Sequence, residues 1–320
     1  YLLNASLTFC ELQKHVDRIR NICIMAHVDH GKTTLADSLV ASNGIISQKL
    51  VGKLRYMDSR VDEQERGITM KSSSIALYYL KDEKDYLINL IDSPAIILVD
   101  VLEGVLLVFN KIDRLILERQ LTPLDAYIHL TQVLEQVNAV IGELFTSDVL
   151  LKEDEQPKSA TESGDMYANW SSGLDAADDS ECYFSPDQGN VIFASAIDGW
   201  GFSVQKFAKL YSQKLGIDES QLQQGIWGDY YLNKKTMQIV KGAQERAKKP
   251  LFVQLIFENI WSLYDTILIR KDTDKLLKIV ESLNLEMKQR DLRQTDARAK
   301  LQIVFSQWLP LAEAVLSMRT

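Results

Sequence analysis

The chain has 320 residues, 46% of them hydrophobic and 25% charged, with a formal net charge of −8. This is enough apolar material for one large domain or two smaller ones. The acidic balance argues against a general nucleic-acid clamp, which needs surplus cations to neutralise phosphates, and the lack of any uncharged apolar run of about 18 residues excludes a membrane-spanning helix.

Tyr1 to Arg20 reads as a leader and a short helix, with His15 at the surface. It carries neither an initiator Met nor the basic-then-apolar pattern of a signal peptide, so the numbering is expected to start inside a longer chain. Cys10, Cys23 and Cys182 lack metal-ligand spacing. That pattern points to a reducing, cytoplasmic setting without structural zinc.

Asn21 to Met25 predicts a short buried strand, and Leu35 to Val40 a helix. Between them lies Ala26-His27-Val28-Asp29-His30-Gly31-Lys32-Thr33-Thr34. Strand, tight loop ending in Gly-Lys-Thr, then helix is the phosphate-loop pattern, one residue short because Ala26 stands where Gly is usual. Backbone N–H groups and the helix N-terminus would face bound phosphates. Gly31 allows close backbone approach. Lys32 would neutralise the β- and γ-phosphates, and the Thr33 hydroxyl offers a hard oxygen to Mg²⁺.

Ser42-Asn43-Gly44 predicts a turn, and the polar stretch Lys53 to Arg66 a loop. The loop ends in Arg66-Gly67-Ile68-Thr69, where Thr69 is a candidate switch ligand to the metal. Ser74 to Leu80 and Tyr86 to Ile91 predict a hairpin turning at Lys81 to Asp85. The second strand ends in Asp92-Ser93-Pro94. Asp92 is either a second metal contact, usually through water, or a turn cap before Pro.

Apolar runs at Ile96 to Val101 and Val105 to Phe109 predict two further strands. The second leads into Asn110-Lys111-Ile112-Asp113. The Asp113 carboxylate can accept from guanine N1–H and the exocyclic amine, which adenine does not offer. Asn110 and Lys111 would brace the ring and the phosphate loop. Leu124 to Ile141 predicts an amphipathic helix, and the acidic, Ser-rich stretch Leu151 to Asp187 a mobile surface insertion. Gly189 to Ala194 predicts a strand ending in Ser195-Ala196-Ile197, a contact to the guanine edge in such a site. Asp198 to Phe202 is expected to open a helix through Leu215.

Beyond it, Trp227-Gly228-Asp229-Tyr230-Tyr231, Leu251 to Ile269 and Asp274 to Leu283 suggest a second compact unit, with Leu251, Leu255, Phe257, Ile260, Trp261 and Tyr264 in its core. The basic clusters Lys241 to Lys249 and Arg270 to Lys278 read as solvated faces. Trp308-Leu309-Pro310 starts a last helix with Pro in its first turn.

In this order, the phosphate loop, Arg66 to Thr69, Asp92 to Pro94, Asn110 to Asp113 and Ser195-Ala196 resemble a translational GTPase. Ala26 to Lys32, Trp227 to Tyr231 and Trp308 to Pro310 are similar to the elongation factor 2 and elongation factor G group. Lys53 to Arg60, Gly67 to Ser73 and Ser195 to Phe202 resemble its elongation-factor-like branch, the GTPases of large ribosomal subunit maturation.

The resemblance implies an α/β fold: a mostly parallel sheet in a P-loop GTPase domain, with a smaller α+β insert. It implies a GTPase domain over 1–198, an insert over 199–305 and a closing helix over 306–320. GTP or GDP with Mg²⁺ would be held by Ala26 to Thr34, Asn110, Lys111, Asp113 and Ser195 to Ile197. Thr33, Thr69 and Asp92 would hold the metal, and Lys32, Thr69 and Asp92 would serve catalysis. Asp29 would help bind a monovalent cation, or else pack within the loop. The implied role is that of a cytoplasmic monomer without membrane contact. It would use GTP to release the anti-association factor, initiation factor six, from the large ribosomal subunit, together with the Shwachman–Diamond syndrome protein.

One departure stands out. In this family Asp-Ser-Pro continues into Gly-His, and that His positions the attacking water, whereas here Pro94 is followed by Ala95 and Ile96. Neither His27 nor His30 substitutes, because both lie in the phosphate loop. Parallel strands need crossovers of a dozen or more residues, so residues are expected to be missing near Pro94–Ile96 and Val105–Leu106. Two alternatives stay open: an elongation factor 2-like translocase, and a GTP-binding assembly scaffold that hydrolyses nothing. A phosphate-loop ATPase has no use for Asn110 to Asp113.

Overall fold

A computed structural model of the chain describes residues 10–93, 104–155, 183–233, 236–292 and 294–317, with no side-chain description for 148–155 and 289. The expected strand at Ile96 to Val101, the Pro94–Ile96 junction and most of the acidic insertion lie outside these residues.

Strand β1 (Ile19–Ile24) leads through the glycine-bearing loop into helix α1 (Lys32–Ser42). Within the stretch read as a loop, α2 (Val61–Arg66) forms instead. Its start is held by the Glu63 carboxylate, which accepts from the Arg60 backbone N–H at 3.1 Å, and Gly67 stops it with φ 68°. Strands β2 (Ser73–Lys81) and β3 (Lys84–Asp92) then make the expected hairpin. Its turn is tighter than expected, centred on Asp82 and Glu83, both at positive φ, the geometry that matches the twist of paired strands. After β4 (Leu107–Phe109) come α3 (Ile112–Leu117) and the long α4 (Pro123–Glu155), which runs past the expected start of the insertion at Leu151.

Strand β5 (Val191–Ser195) is buried throughout. The expected helix from Asp198 begins later. Residues Trp200–Phe202 form β6, and α5 (Val204–Leu215) follows. Trp200, Gly201 and Phe202 pair back onto Ser195, Ala194 and Phe193, which buries two aromatic rings that a helix would have turned partly outward. Next come α6 (Glu219–Ile226) and the hairpin β7 (Tyr230–Asn233) and β8 (Gln238–Lys241). The apolar run near 251–269 is helical as expected, with α7 (Glu258–Tyr264) between two wider π-helical turns. Helices α8 (Thr273–Ser282), α9 (Gln289–Leu292), α10 (Ala297–Trp308) and α11 (Leu311–Leu316) complete the described chain. Pro310 caps α11 rather than sitting in its first turn.

The expected mostly parallel sheet is not what forms among the described residues. Two mixed three-stranded sheets are present, ordered β1-β3-β2 and β4-β5-β6, beside the two-stranded β7-β8 pair. In each three-stranded sheet one pair is parallel, β1 with β3 and β4 with β5, and the other is antiparallel. The reason is connection length. β2 to β3 and β5 to β6 are joined by short turns, which can only reverse the chain.

Two apolar cores set these layers. One packs α1, the inner face of the first sheet, Ile192 and Ala194 of β5, and α11. There Gly201 lies so close to α11 that an added Cβ would stand 2.7 Å from Leu311 Cδ1. The other runs from Phe109 through α4, β5, β6 and the helices as far as Leu309. At its centre Phe193 meets Phe109, Phe202, Trp227 and Phe252, with ring centroids 4.9 to 5.5 Å apart. The Trp227 segment is tied down by Tyr127 of α4, whose hydroxyl donates to Gly228 O and accepts from Gly228 N–H. We expect Phe193→Ala to lower unfolding free energy by about 3–5 kcal/mol through the cavity it leaves, read from urea denaturation.

Candidate functional site

The loop between β1 and α1 lies over the start of the Asn110 segment. Asp29 and Gly31 take left-handed backbone angles, φ 64° and 91°. At Gly31 a Cβ would stand only 2.6 Å from Asn110 Nδ2, so glycine is needed for both angle and space. Asn110 in turn bridges three segments. Its Nδ2 donates to His30 O at 3.3 Å, and its Oδ1 accepts from the N–H groups of Lys111 at 2.8 Å and Ala196 at 3.0 Å. The Lys111 ammonium donates to Asp29 O. The loop, the Asn110 motif and the Ser195 motif are thus one hydrogen-bonded unit.

Between them opens a cavity of about 380 Å³, within the range of small-molecule sites. Of the expected residues, His27, Val28, Asp29, Gly31, Lys32, Thr33 and Thr34 line it on one side. Thr69 lines it as well, and Asn110, Lys111, Asp113, Ala196 and Ile197 line the other side. Ala26, His30, Asp92 and Ser195 stand behind this lining. Ala26 ends the strand side of the loop, and His30 offers its carbonyl to Asn110. Ser195 is buried and donates from Oγ to Asp113 Oδ1 at 2.8 Å.

At the loop end, Lys32 Nζ donates to Asp92 Oδ1 at 2.6 Å, a buried ion pair linking α1 to the tip of β3. Burial raises the Asp92 carboxyl pKa, and the Lys32 ammonium partly offsets this. Asp92 Oδ2 is buried and accepts no hydrogen bond. Nearby, Thr33 Oγ1 and Thr69 Oγ1 are 3.2 Å apart, and Thr69 donates to Asp58 Oδ1 at 2.8 Å. An orphaned carboxylate oxygen and hard hydroxyl oxygens are donors suited to Mg²⁺. Thr33, Thr69 and Asp92 therefore fit the ion assigned to them.

Several residues that hold these groups escaped sequence reasoning. Asp37 of α1 accepts from the Gly52 and Tyr56 N–H groups at 3.1 and 2.9 Å, and burial raises its pKa. Asp58 joins Thr69 to Arg55, whose Nε lies 2.6 Å from Asp58 Oδ2. Glu63 Oε1 accepts from the Met70 and Lys71 N–H groups at 2.8 and 2.7 Å. These carboxylates fix the strand of chain that carries Thr69.

On the Asn110 side of the cavity, burial raises the Asp113 pKa first and the neighbouring Asp198 carboxylate adds to it, while Ser195 and Arg298 oppose the shift. Arg298, which lines the cavity from α10, lies far along the chain and gave no sequence signal.

Residues 17–95 match the elongation factor Tu GTP binding domain. The chain is 51% identical over 358 residues to elongation factor-like GTPase 1 of Homo sapiens, covering 99% of this chain and 32% of that protein. It is 46% identical to ribosome assembly protein 1 of Saccharomyces cerevisiae, covering 97% of this chain and 32% of that one. To the protein of the same name in Schizosaccharomyces pombe it is 42% identical, covering 95% and 33%.

The chain belongs to the elongation-factor-like GTPases. It spans about a third of the length of these curated relatives. The aligned stretches with the human and budding-yeast relatives, 358 and 367 residues, are longer than the 320 residues here. These relatives therefore carry residues without a counterpart in this chain. In this elongation-factor-like GTPase, Gly31→Ala is expected to force a strained φ costing about 1–2 kcal/mol and to push Asn110 off His30. GDP affinity, followed by fluorescence titration, should drop about tenfold.

Proposed function

We propose that this chain is the GTP-hydrolysing part of a ribosome-assembly factor acting on the large ribosomal subunit. The observation that carries the reading is the single cavity shared by the phosphate-loop residues and the Asn110 to Asp113 motif, because a triphosphate and a guanine ring must be gripped at once. The relatives named for ribosome assembly support the setting.

In this reading Lys32 exchanges its bond to Asp92 for the β- and γ-phosphates, and the loop N–H groups and the α1 N-terminus orient them. Thr33, Thr69 and Asp92 hold Mg²⁺, which when bound neutralises charge developing on the phosphates. Asp58 aims the Thr69 hydroxyl, so Thr69 reports a γ-phosphate to the segment anchored by Glu63. Asp113 accepts from the guanine N1–H and amine, and Ala196 and Ile197 close over the ring edge. We assign residues 199–305 to an insert subdomain and 306–320 to the closing helix of the GTPase domain. We assign no water-positioning His. The output of the cycle is release of the anti-association initiation factor six, with the Shwachman–Diamond syndrome protein as partner.

The test is to incubate the full-length protein and GTP with large subunits carrying the anti-association factor and the Shwachman–Diamond partner, and to measure dissociated factor. GTP-dependent release is expected, and Lys32→Ala should lower GTP turnover at least ~100-fold and abolish release. Turnover on mature ribosomes carrying tRNA, without any release, would replace this reading with a translocase. GTP binding without turnover on either particle would leave an assembly scaffold.

A further inference from the structure

Behind the base-facing wall of the cavity lies a buried polar cluster that the scheme above does not use. Asp198, fully buried three residues beyond Ser195, accepts from Arg298 Nε on Oδ1 and from the Tyr264 hydroxyl on Oδ2, both at 2.7 Å. The Tyr264 hydroxyl accepts in turn from Trp200 Nε1 at 2.8 Å. An Nη nitrogen of Arg298 stands 3.6 Å from Asp113 Oδ2, while Ser195 donates to Asp113 Oδ1. Two buried carboxylates, Asp113 and Asp198, therefore share one guanidinium that also lines the cavity.

We infer that Arg298, held in place by Asp198, is a specificity-setting positioning residue for guanine, which keeps the Asp113 carboxylate ionised against the neighbouring Asp198 charge and aimed at the base. The inference rests on the assignment of Asp113 to guanine. Two carboxylates close together without a cation cannot both stay ionised, and one takes up a proton. A protonated Asp113 would set a donor against the guanine N1–H and lose the match. Arg298 removes that conflict. Asp198 fixes the plane of the guanidinium through Nε, so the fork is held rather than free. At 3.6 Å Arg298 contributes charge to Asp113 without a close hydrogen bond, and acceptor positions remain for the base.

The cluster is also bound into the core. Trp200 stacks on Phe305 of α10, the helix that carries Arg298, with centroids 5.2 Å apart, and Gln302 of the same helix donates to Ile197 O at 2.9 Å. Arg298 therefore keeps station with the Ser195 to Ile197 edge of the cavity.

The experiment compares GDP with inosine diphosphate, which lacks the 2-amino group, as ligands of the full-length protein. One hydrogen bond to a charged acceptor predicts that the wild type prefers GDP by roughly 10–100-fold. Arg298→Gln should weaken GDP about tenfold and compress that preference to within about threefold, whereas general loosening of the site would weaken both nucleotides alike and leave the ratio unchanged. Arg298→Lys, which keeps the charge and loses the fork, should fall between. An unchanged ratio in Arg298→Gln overturns the inference while leaving Asp113 in place. If circular dichroism shows that variant unfolded, Arg298→Lys decides in its stead, and an unchanged ratio there overturns the inference. A wild type without preference for GDP overturns the assignment of Asp113 itself, and the inference with it.

Discussion

A single amide holds the site together. Asn110 donates to the carbonyl of His30 and accepts from the N–H groups of Lys111 and Ala196. The Lys111 contact fixes the amide within its own motif, and the other two join it to segments 80 and 86 residues away in sequence. A side-chain amide is suited to this because one planar group offers both a donor and an acceptor with two lone pairs. The close approach works only because Gly31 has no Cβ to fill the space occupied by Asn110 Nδ2. The loop geometry and the base-side motif are therefore not independent choices.

Around that amide, the site is built on buried carboxylates that are only partly compensated. Lys32 pairs with Asp92, yet Asp92 keeps one oxygen without a partner. A buried polar atom in that state costs free energy, and a cation would relieve the cost. Asp37, Asp58 and Glu63 are instead satisfied by backbone N–H groups, a hydroxyl and an arginine. The two kinds of carboxylate divide the work. Satisfied ones shape the segment carrying Thr69, and the orphaned one leaves coordination capacity at the tip of β3.

The last helices matter to the site because they close the same cores that the first strands begin. α11 packs with α1 and the first sheet, and the Leu309 carbonyl accepts from Gly201 N–H at 3.0 Å. α10 reaches the base wall through Arg298 and Gln302. A cavity lined by residues from roughly the first third of the chain and by Ala196 and Ile197 is thus bordered by a side chain from near residue 300.

Much of this was legible from local pattern. The loop residues 26–34, Thr69, Asp92, Asn110 to Asp113 and Ser195 to Ile197 were singled out because particular residue types recur at short spacing, which survives in one dimension, and most of them line one cavity. The hairpin, the long helix after Pro123 and the buried strand at Val191 followed from periodicity. Strand direction did not, because it depends on which segments become neighbours. The turn at Asp82 gave the antiparallel pair that a hairpin implies, whereas the short turn after Ser195 made a second antiparallel pair where no strand was expected. β6 looked like the start of a helix until Phe193 met Phe202 and Phe305 met Trp200. The roles of Asp58, Asp198 and Arg298 were likewise invisible, since hydrogen bonds across up to 100 residues leave no spacing to read. The sequence by itself determined which polar and charged groups are available to a guanine nucleotide. Only the tertiary structure decided which carboxylates are paired and which are left open, because that depends on burial and on neighbours brought together from distant parts of the chain.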